Sequence, residues 1–293
     1  MTDEIIRQDS LEILKGTADA LVVPDYLAGF EILYVNPKTT IHDFLKIIEA
    51  DSGLSKSILD AANSPFYVVH KKVANAVQAI QTIGAGEVLA IMRCRALLSL
   101  FGSVRTVISE RLISHGFAVG AAAMLIASHL RINAGADLFF KGLIHDIGKN
   151  LIALSMPEKF EKFLWVLNDP ENLMEYHRLE NSLIGISHSE AGALLLEKKG
   201  FSPDIRDAVM YHHSKIAQGA DPLASSLIHI GDVLCNVTGH TPFKSLTFPI
   251  VEPGMLKPVF EKKKDFGTDD MMLLMNRLDI EIERLRPFYS ALR

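Results

Sequence analysis

Gly142-Leu143-Ile144-His145-Asp146-Ile147-Gly148-Lys149 sets a histidine and an aspartate side by side in an apolar run that reads as one helix, Asp137 to Leu154. Buried polar and charged groups are costly unless they are hydrogen-bonded, paired or bound to metal, so this pair needs a partner. An imidazole followed by a carboxylate offers one neutral nitrogen and two hard oxygens, a set that suits a divalent transition metal, with the carboxylate able to bridge two ions. On a continuous helix Lys149 stands one turn after His145 on the same face, where an ammonium group steers a phosphate. The other reading of the same octapeptide is a buried His-Asp hydrogen bond with Lys149 in solvent.

Outward from this stretch the pattern is helical almost throughout. Ile41, Phe44, Leu45 and Ile48 recur at helical spacing after Thr40, a natural N-cap, and a second helix runs from Leu54 to Asn63, stopped by Ser64-Pro65. Val73, Val77 and Ile80 mark a third, closed by Gly84 and Gly86, and Val88, Met92, Leu97 and Leu98 a fourth. Before them Ile13 and Leu14 indicate a short helix, and Glu31 to Val35 reads as extended. The stripe weakens between Gly102 and Glu110, where two lobes are expected to meet. Beyond it helices are expected over Glu110 to Arg131, over Glu158 to Glu180 with an ordinary solvated face, from Ser187 to Lys199 with Gly200 as cap, from Pro203 to Tyr211, from Leu223 to Val237 and from Asp269 to Leu292. Four prolines fill an irregular stretch after residue 240.

Composition narrows the function. The chain has 293 residues, 48% hydrophobic and 22% charged, which indicates a folded protein with a full core. A formal net charge of −5 argues against a nucleic-acid or anionic-membrane surface and favours a small anion as ligand. Cys94 and Cys235 lie far apart in apolar helices, which fits core positions in a reducing compartment. The acidic Thr2-Asp3-Glu4 does not open a signal peptide, and the small-apolar run from Gly116 to Ser128 falls short of the roughly 20 residues of a bilayer span, so a cytoplasmic protein is expected.

Seven polar residues stand on these apolar helices: His115, His145, Asp146, His188, His212, His213 and Asp232. Singly, each reads as a satisfied core or surface group. Together they are a plausible complement for a two-metal site with a shared aspartate. Their order resembles the ligand order of the HD superfamily of metal-dependent phosphohydrolases, including the double-histidine step of its HD-GYP branch. Asn63-Ser64, the Val77 to Gly84 helix, Glu180 ahead of Gly185-Ile186-Ser187-His188, and Ala191-Gly192 before Leu194-Leu195 resemble more closely the HDOD family, the HD-related output domain of bacterial signalling proteins, over roughly Thr40 to Val237.

The resemblance implies an all-α fold: an N-terminal helical lobe over 1–110, an HD-like metal-binding bundle over 111–240, and an irregular segment with a C-terminal helix over 241–293. It implies a divalent transition metal, two ions bridged by Asp146, iron or manganese before zinc, held by His115, His145, Asp146, His188, His212, His213 and Asp232. Asp146 and Lys149 would carry any catalysis, with Lys149 on a phosphoryl oxygen. Many HDOD members lack part of this ligand set, whereas every position is filled in this chain. After His212-His213 come Ser214 to Gly219 with no Gly-Tyr-Pro loop, which separates it from HD-GYP enzymes and argues against cyclic di-GMP hydrolysis. The expected role is a signalling or regulatory output with a protein partner in trans or a small phosphorylated ligand. The alternative is a phosphohydrolase or phosphodiesterase acting on a nucleotide or cyclic nucleotide. Of the other histidines, His42 and His70 read as surface or capping groups, His129 and His240 as helix-end groups, and His177 as solvated. His229 stands one turn before Asp232, within reach of orienting it.

Overall fold

The structure, a computed structural model, describes residues 3–67, 71–100, 106–169, 171, 174, 176–243 and 250–293. His70 and the first part of the expected lobe boundary lie outside the described residues. Within them are sixteen α-helices and no strand. The first half holds α1 (Asp3–Ala20), α2 (Asp25–Val35), α3 (Ile41–Ala50), α4 (Ser52–Ala62), α5 (Ala76–Ile83) and α6 (Ala85–Leu100). Thr40 and Asp43 close a capping box on α3, and Asn63 ends α4. Gly84 caps α5 at positive φ, whereas Gly86 lies inside α6. The segment from Glu31 to Val35 is not extended but ends α2: Leu27 and Phe30, three residues apart, bury one face, while Ile32 and Val35 point to solvent. Packing of that face overrides the strand preference of the run.

The second half is built on α7 (Val107–His129), followed by α8 (Ala136–Ile144), α9 (Ile147–Ser155), α10 (Pro157–Leu167), α11 (Tyr176–Ile184), α12 (His188–Lys198), α13 (Pro203–Tyr211), α14 (Pro222–Val237), α15 (Lys257–Lys262) and α16 (Thr268–Leu292). Helix α7 packs against α8, α9, α14 and α16, with Ala121, Ala122 and Ala123 fully buried. At 23 residues it is long and apolar enough to cross a membrane, but 72% of its most apolar window is buried inside the protein. Cys94 and Cys235 are free thiols in the core.

Two contacts aim the octapeptide. Glu87 accepts the Ala136 N–H at 2.9 Å, satisfying the start of α8, where Gly135 has no side chain to do so. Helix α9 then crosses α12 so closely that a Cβ on Gly148 would overlap the His188 carbonyl oxygen and stand 2.6 Å from the Gly192 nitrogen. Contacts also cross the expected lobe boundary: α1 rests on α9, α11 and α12, with Arg7 paired to Glu190 at 2.6 Å. Phe288 on α16 stacks on Phe66 at 4.2 Å and meets Phe139 edge-on at 5.2 Å.

These crossings set opposite expectations for two glycines. Gly148→Ala should cost about 3 kcal/mol in urea unfolding, because backbone meets the new methyl. Gly16→Ala, where a Cβ would meet nothing within 4 Å, should be neutral or stabilise α1 by up to about 1 kcal/mol. A Gly148→Ala protein as stable as wild type would mean that the α9–α12 crossing is misplaced.

Candidate metal centre

His145 and Asp146 do not sit within one helix. They form the junction between α8 and α9, with His145 closing the first and Asp146 at the N-cap of the second. Lys149 therefore lies one turn into the next helix rather than one turn along the same one. An N-cap aspartate usually spends its carboxylate on the N–H groups of its own first turn. Asp146 makes no such bond, so both oxygens face the interior. Oδ1 lies 3.3 Å from His188 Nε2 and 3.8 Å from His212 Nε2, and Oδ2 lies 3.4 Å from His145 Nε2 and 3.7 Å from His115 Nε2.

Each ring is held from behind. His145 Nδ1 faces the Gly142 carbonyl at 2.8 Å, His212 Nδ1 that of Val209 at 2.6 Å, and His115 Nδ1 that of His240 at 2.6 Å. His188, first residue of α12 behind the Ser187–Glu190 capping box, turns Nδ1 to the Glu180 carboxylate at 2.9 Å. A carbonyl can only accept, so Nδ1 must carry the proton on His115, His145 and His212, and a neutral ring then keeps a bare Nε2. Asp232 on α14 completes the set, 3.0 Å from His115 Nε2, with Asn236 Nδ2 donating to the same oxygen at 2.7 Å. His213 follows His212 with its ring 4.0 Å away.

The titration behaviour follows from this burial. Burial pushes His188 down to about 3 and His212 to about 4, and with His212 beside it holds His213 well below the imidazole range, so all three are neutral near pH 7. Burial would also lower His145, but the Asp146 carboxylate raises it. For Asp146 itself burial opposes ionisation, and Lys149 and His145 outweigh it, keeping the carboxyl ionised. Burial pushes Glu180 up to about 7.

These donors fit a cation. His145 Nε2 and Asp146 Oδ1 are buried without a hydrogen-bond partner, and His188 Nε2 stands 3.3 Å from His212 Nε2. Two ligands bonded to one tetrahedral ion at about 2.1 Å stand about 3.4 Å apart. Three compact donor groups result among the described residues: Asp146 with His188, His212 and His213, and Asp146 with His115 and His145, which share the aspartate, and His177 with Glu180 and His188. Lys149 is not in solvent: its ammonium pairs with Asp146 Oδ2 at 2.6 Å and lies 5.0 Å from the Tyr176 ring centre. Beside the cluster opens a cavity of about 650 Å³, lined among others by His115, Lys149, His213, Lys215, Asp232 and Phe243.

All seven expected residues thus converge. Other readings are corrected. Glu180 is fully buried rather than solvated, and His177 lies 5.6 Å from the His188 ring, stacked on it. Its imidazole is pushed down to about 4 by burial. His229 binds elsewhere than Asp232. His129 ends α7 and His240 stands just past α14, at helix ends as read, and they pair with Asp270 at 2.6 Å and Asp279 at 2.7 Å. Lys141, unremarked in the sequence, is buried between Asp137 at 2.8 Å and Asp204 at 2.9 Å, tying α8 to α13. Asn236 had a signal, since it follows Asp232 by one helical turn.

Comparison with known proteins agrees with the fold. The HDOD domain family model matches residues 22–215. An HDOD domain protein of unknown function from Geobacter sulfurreducens superposes with a TM-score of 0.71 at 20% identity, covering 98% of this chain and 99% of that one. A candidate phosphohydrolase from Shewanella amazonensis SB2B gives 0.67 at 17% identity, covering 96% and 98%. A candidate signal transduction protein from Marinobacter aquaeolei VT8 gives 0.67 at 16%, covering 100% of this chain and 67% of that one. Among curated proteins, an uncharacterised protein of Treponema pallidum (strain Nichols) is 21% identical over 232 residues, 76% of this chain and 44% of that protein, so the chain spans less than half of that relative's length.

The Glu180–His188 contact yields a direct test. Glu180→Ala strands a buried Nδ1–H and should cost about 1 to 3 kcal/mol in thermal or urea unfolding, whereas Glu180→Gln, which keeps an acceptor oxygen, should lose less than half of that. Equal losses for the two variants would mean that the side chain only fills space.

Proposed function

Because the chain belongs to the HDOD domain family, we propose that it is a signalling HDOD protein whose buried cluster holds divalent transition metal and hydrolyses a phosphoester bound in the adjacent cavity. The observation that carries this is the convergence of bare imidazole nitrogens on Asp146 beside a cavity that also contains Lys149. We assign two ions, iron or manganese before zinc, to His115, His145, Asp146, His188, His212, His213 and Asp232. Bound metal would supply Lewis acidity to phosphoryl oxygens and lower the pKa of a water nucleophile towards neutrality.

The residues of the chain do the rest. Asp146 belongs to two of the donor groups, and its negative charge would compensate the charge of ions held there. Glu180 and the backbone carbonyls fix the imidazole orientations before substrate arrives, which preorganises the site. Lys149, paired with Asp146 and facing the cavity, holds a phosphoryl oxygen as negative charge grows on it. The apolar walls around Leu167, Val233 and Phe243 limit water around the ester. The candidate phosphohydrolase and the candidate signal transduction protein with the same fold support the two parts of this reading by their names, and at 17% and 16% identity by kinship of fold alone.

A second reading is favoured by one contact. Lys149 sits on Asp146 Oδ2, the oxygen that faces His115 and His145, which suits a regulatory centre that binds metal without turnover. A protein partner in trans would then read the state of the site.

Metal content and turnover together separate these readings. Protein purified without chelator should carry about two equivalents of transition metal and hydrolyse bis(p-nitrophenyl) phosphate, and Asp146→Ala should abolish both. Two equivalents without turnover supports the regulatory reading, and no metal overturns both. Asp146→Asn should lose metal more completely than His188→Ala or His213→Ala, because it alone serves both of the donor groups assigned to the two ions.

A further inference from the structure

His229 is buried on α14, one turn before Asp232, and both ring nitrogens are engaged away from that carboxylate. Nε2 lies 3.0 Å from the backbone N–H of Glu252, a group that can only donate, so Nε2 must be bare. The ring proton of the neutral imidazole then sits on Nδ1, which lies 2.8 Å from the His212 carbonyl oxygen and donates to it. One imidazole therefore joins the peptide of a site histidine to the chain segment at 250–256. The same segment docks a second time beside the site: Ala217 N–H donates to the Gly254 carbonyl at 3.2 Å, within an isolated parallel β-bridge of Ile216 with Gly254. Ile250 and Glu252 from this segment, Lys215 from the turn after His213, and His229 itself all line the cavity beside the cluster.

We propose that His229 is a positioning residue that couples the 250–256 wall of the cavity to the placement of His212. This rests on the reading of the cluster as a metal site with its ligand in that cavity, and it goes further by assigning one ring two separable tasks. The Nδ1 bond holds the His212 peptide, and with it the direction of the His212 ring, while the Nε2 bond holds the wall that faces the ligand. A ligand pressing on Ile250 or Glu252 is thereby connected to the donor geometry around Asp146 through two hydrogen bonds and a single side chain, the His229 ring.

The two tasks can be removed one at a time. An asparagine amide can reproduce the Nδ1 donor, and a glutamine carbonyl the Nε2 acceptor. In His229→Asn, amide hydrogen exchange of the 250–256 segment, measured on metal-free protein, should become at least about tenfold faster while metal affinity stays near wild type. In His229→Gln, exchange over 250–256 should stay near wild type while metal affinity falls by about tenfold, the range seen when a ligand's supporting contact is lost. His229→Phe, which keeps the volume and neither bond, should show both defects. If Asn and Gln variants give the same pair of readings, or if the Phe variant matches wild type, the coupling is overturned and the ring only fills the core. Wild-type protein that takes up no metal would defeat the function proposed above, and the exchange comparison alone would then decide whether the tether exists.

Discussion

Protons on Nδ1 govern this site. Each of four buried rings directs Nδ1 to a fixed oxygen, carbonyls for His115, His145 and His212 and the Glu180 carboxylate for His188. With those protons committed, the Nε2 lone pairs are left to face the Asp146 carboxylate in a volume from which water is largely excluded. Such an arrangement is costly by itself, since His145 Nε2 and Asp146 Oδ1 are buried with nothing to bond. It becomes favourable when a cation lies among them, and the local charge agrees: the Asp146 and Asp232 carboxylates are buried close to one buried ammonium, Lys149.

Holding that geometry requires elements from most of the second half of the chain. Asp146 can direct its carboxylate inward because it caps α9 with its backbone alone, and α9 can approach His188 because Gly148 has no side chain. Asp232 arrives from α14 with Asn236 one turn behind it, and His115 from α7, whose row of alanines lets α14 come close. The first half reaches the same region indirectly, through Glu87 at the start of α8 and through α1 lying across α9, α11 and α12. This placement explains how a helical lobe without a ligand of its own can bear on the centre.

The lysines show the same economy of burial. Lys141 is fully enclosed between aspartates of two helices, where burial would lower its pKa and the carboxylates of Asp137 and Asp204 raise it. Lys149 faces the opposite demand, because its ammonium supports Asp146 and also borders the cavity. If a phosphoryl group binds in the cavity as proposed, this ammonium would have to be shared between it and Asp146, so the strength of the Lys149–Asp146 pair would set the balance between a quiet regulatory centre and a hydrolytic one.

Local signals in the sequence were enough for most of the helices, while the seven candidate residues stood out as a set through their resemblance to a known ligand order. Caps such as Thr40 and Ser187, the glycine at 84, the proline at 203 and the three-and-four spacing of apolar residues act within a few residues of where they stand, so they can be read without the fold. The seven polar residues were visible on apolar helices, but each one alone also reads as an ordinary core or surface group, and only their shared order set them apart. What needed the tertiary structure was every property that depends on a distant partner. The break between His145 and Asp146 follows from α8 and α9 packing on different neighbours, and the helical end of α2 from burial of Leu27 and Phe30. Glu180 and His177 looked solvated because their charged segment matches a surface pattern, and only the approach of α12 buries one and stacks the other. The proton on each imidazole was beyond the sequence for the same reason: it is set by oxygens of Gly142, Val209, His240 and Glu180, brought into place by the fold.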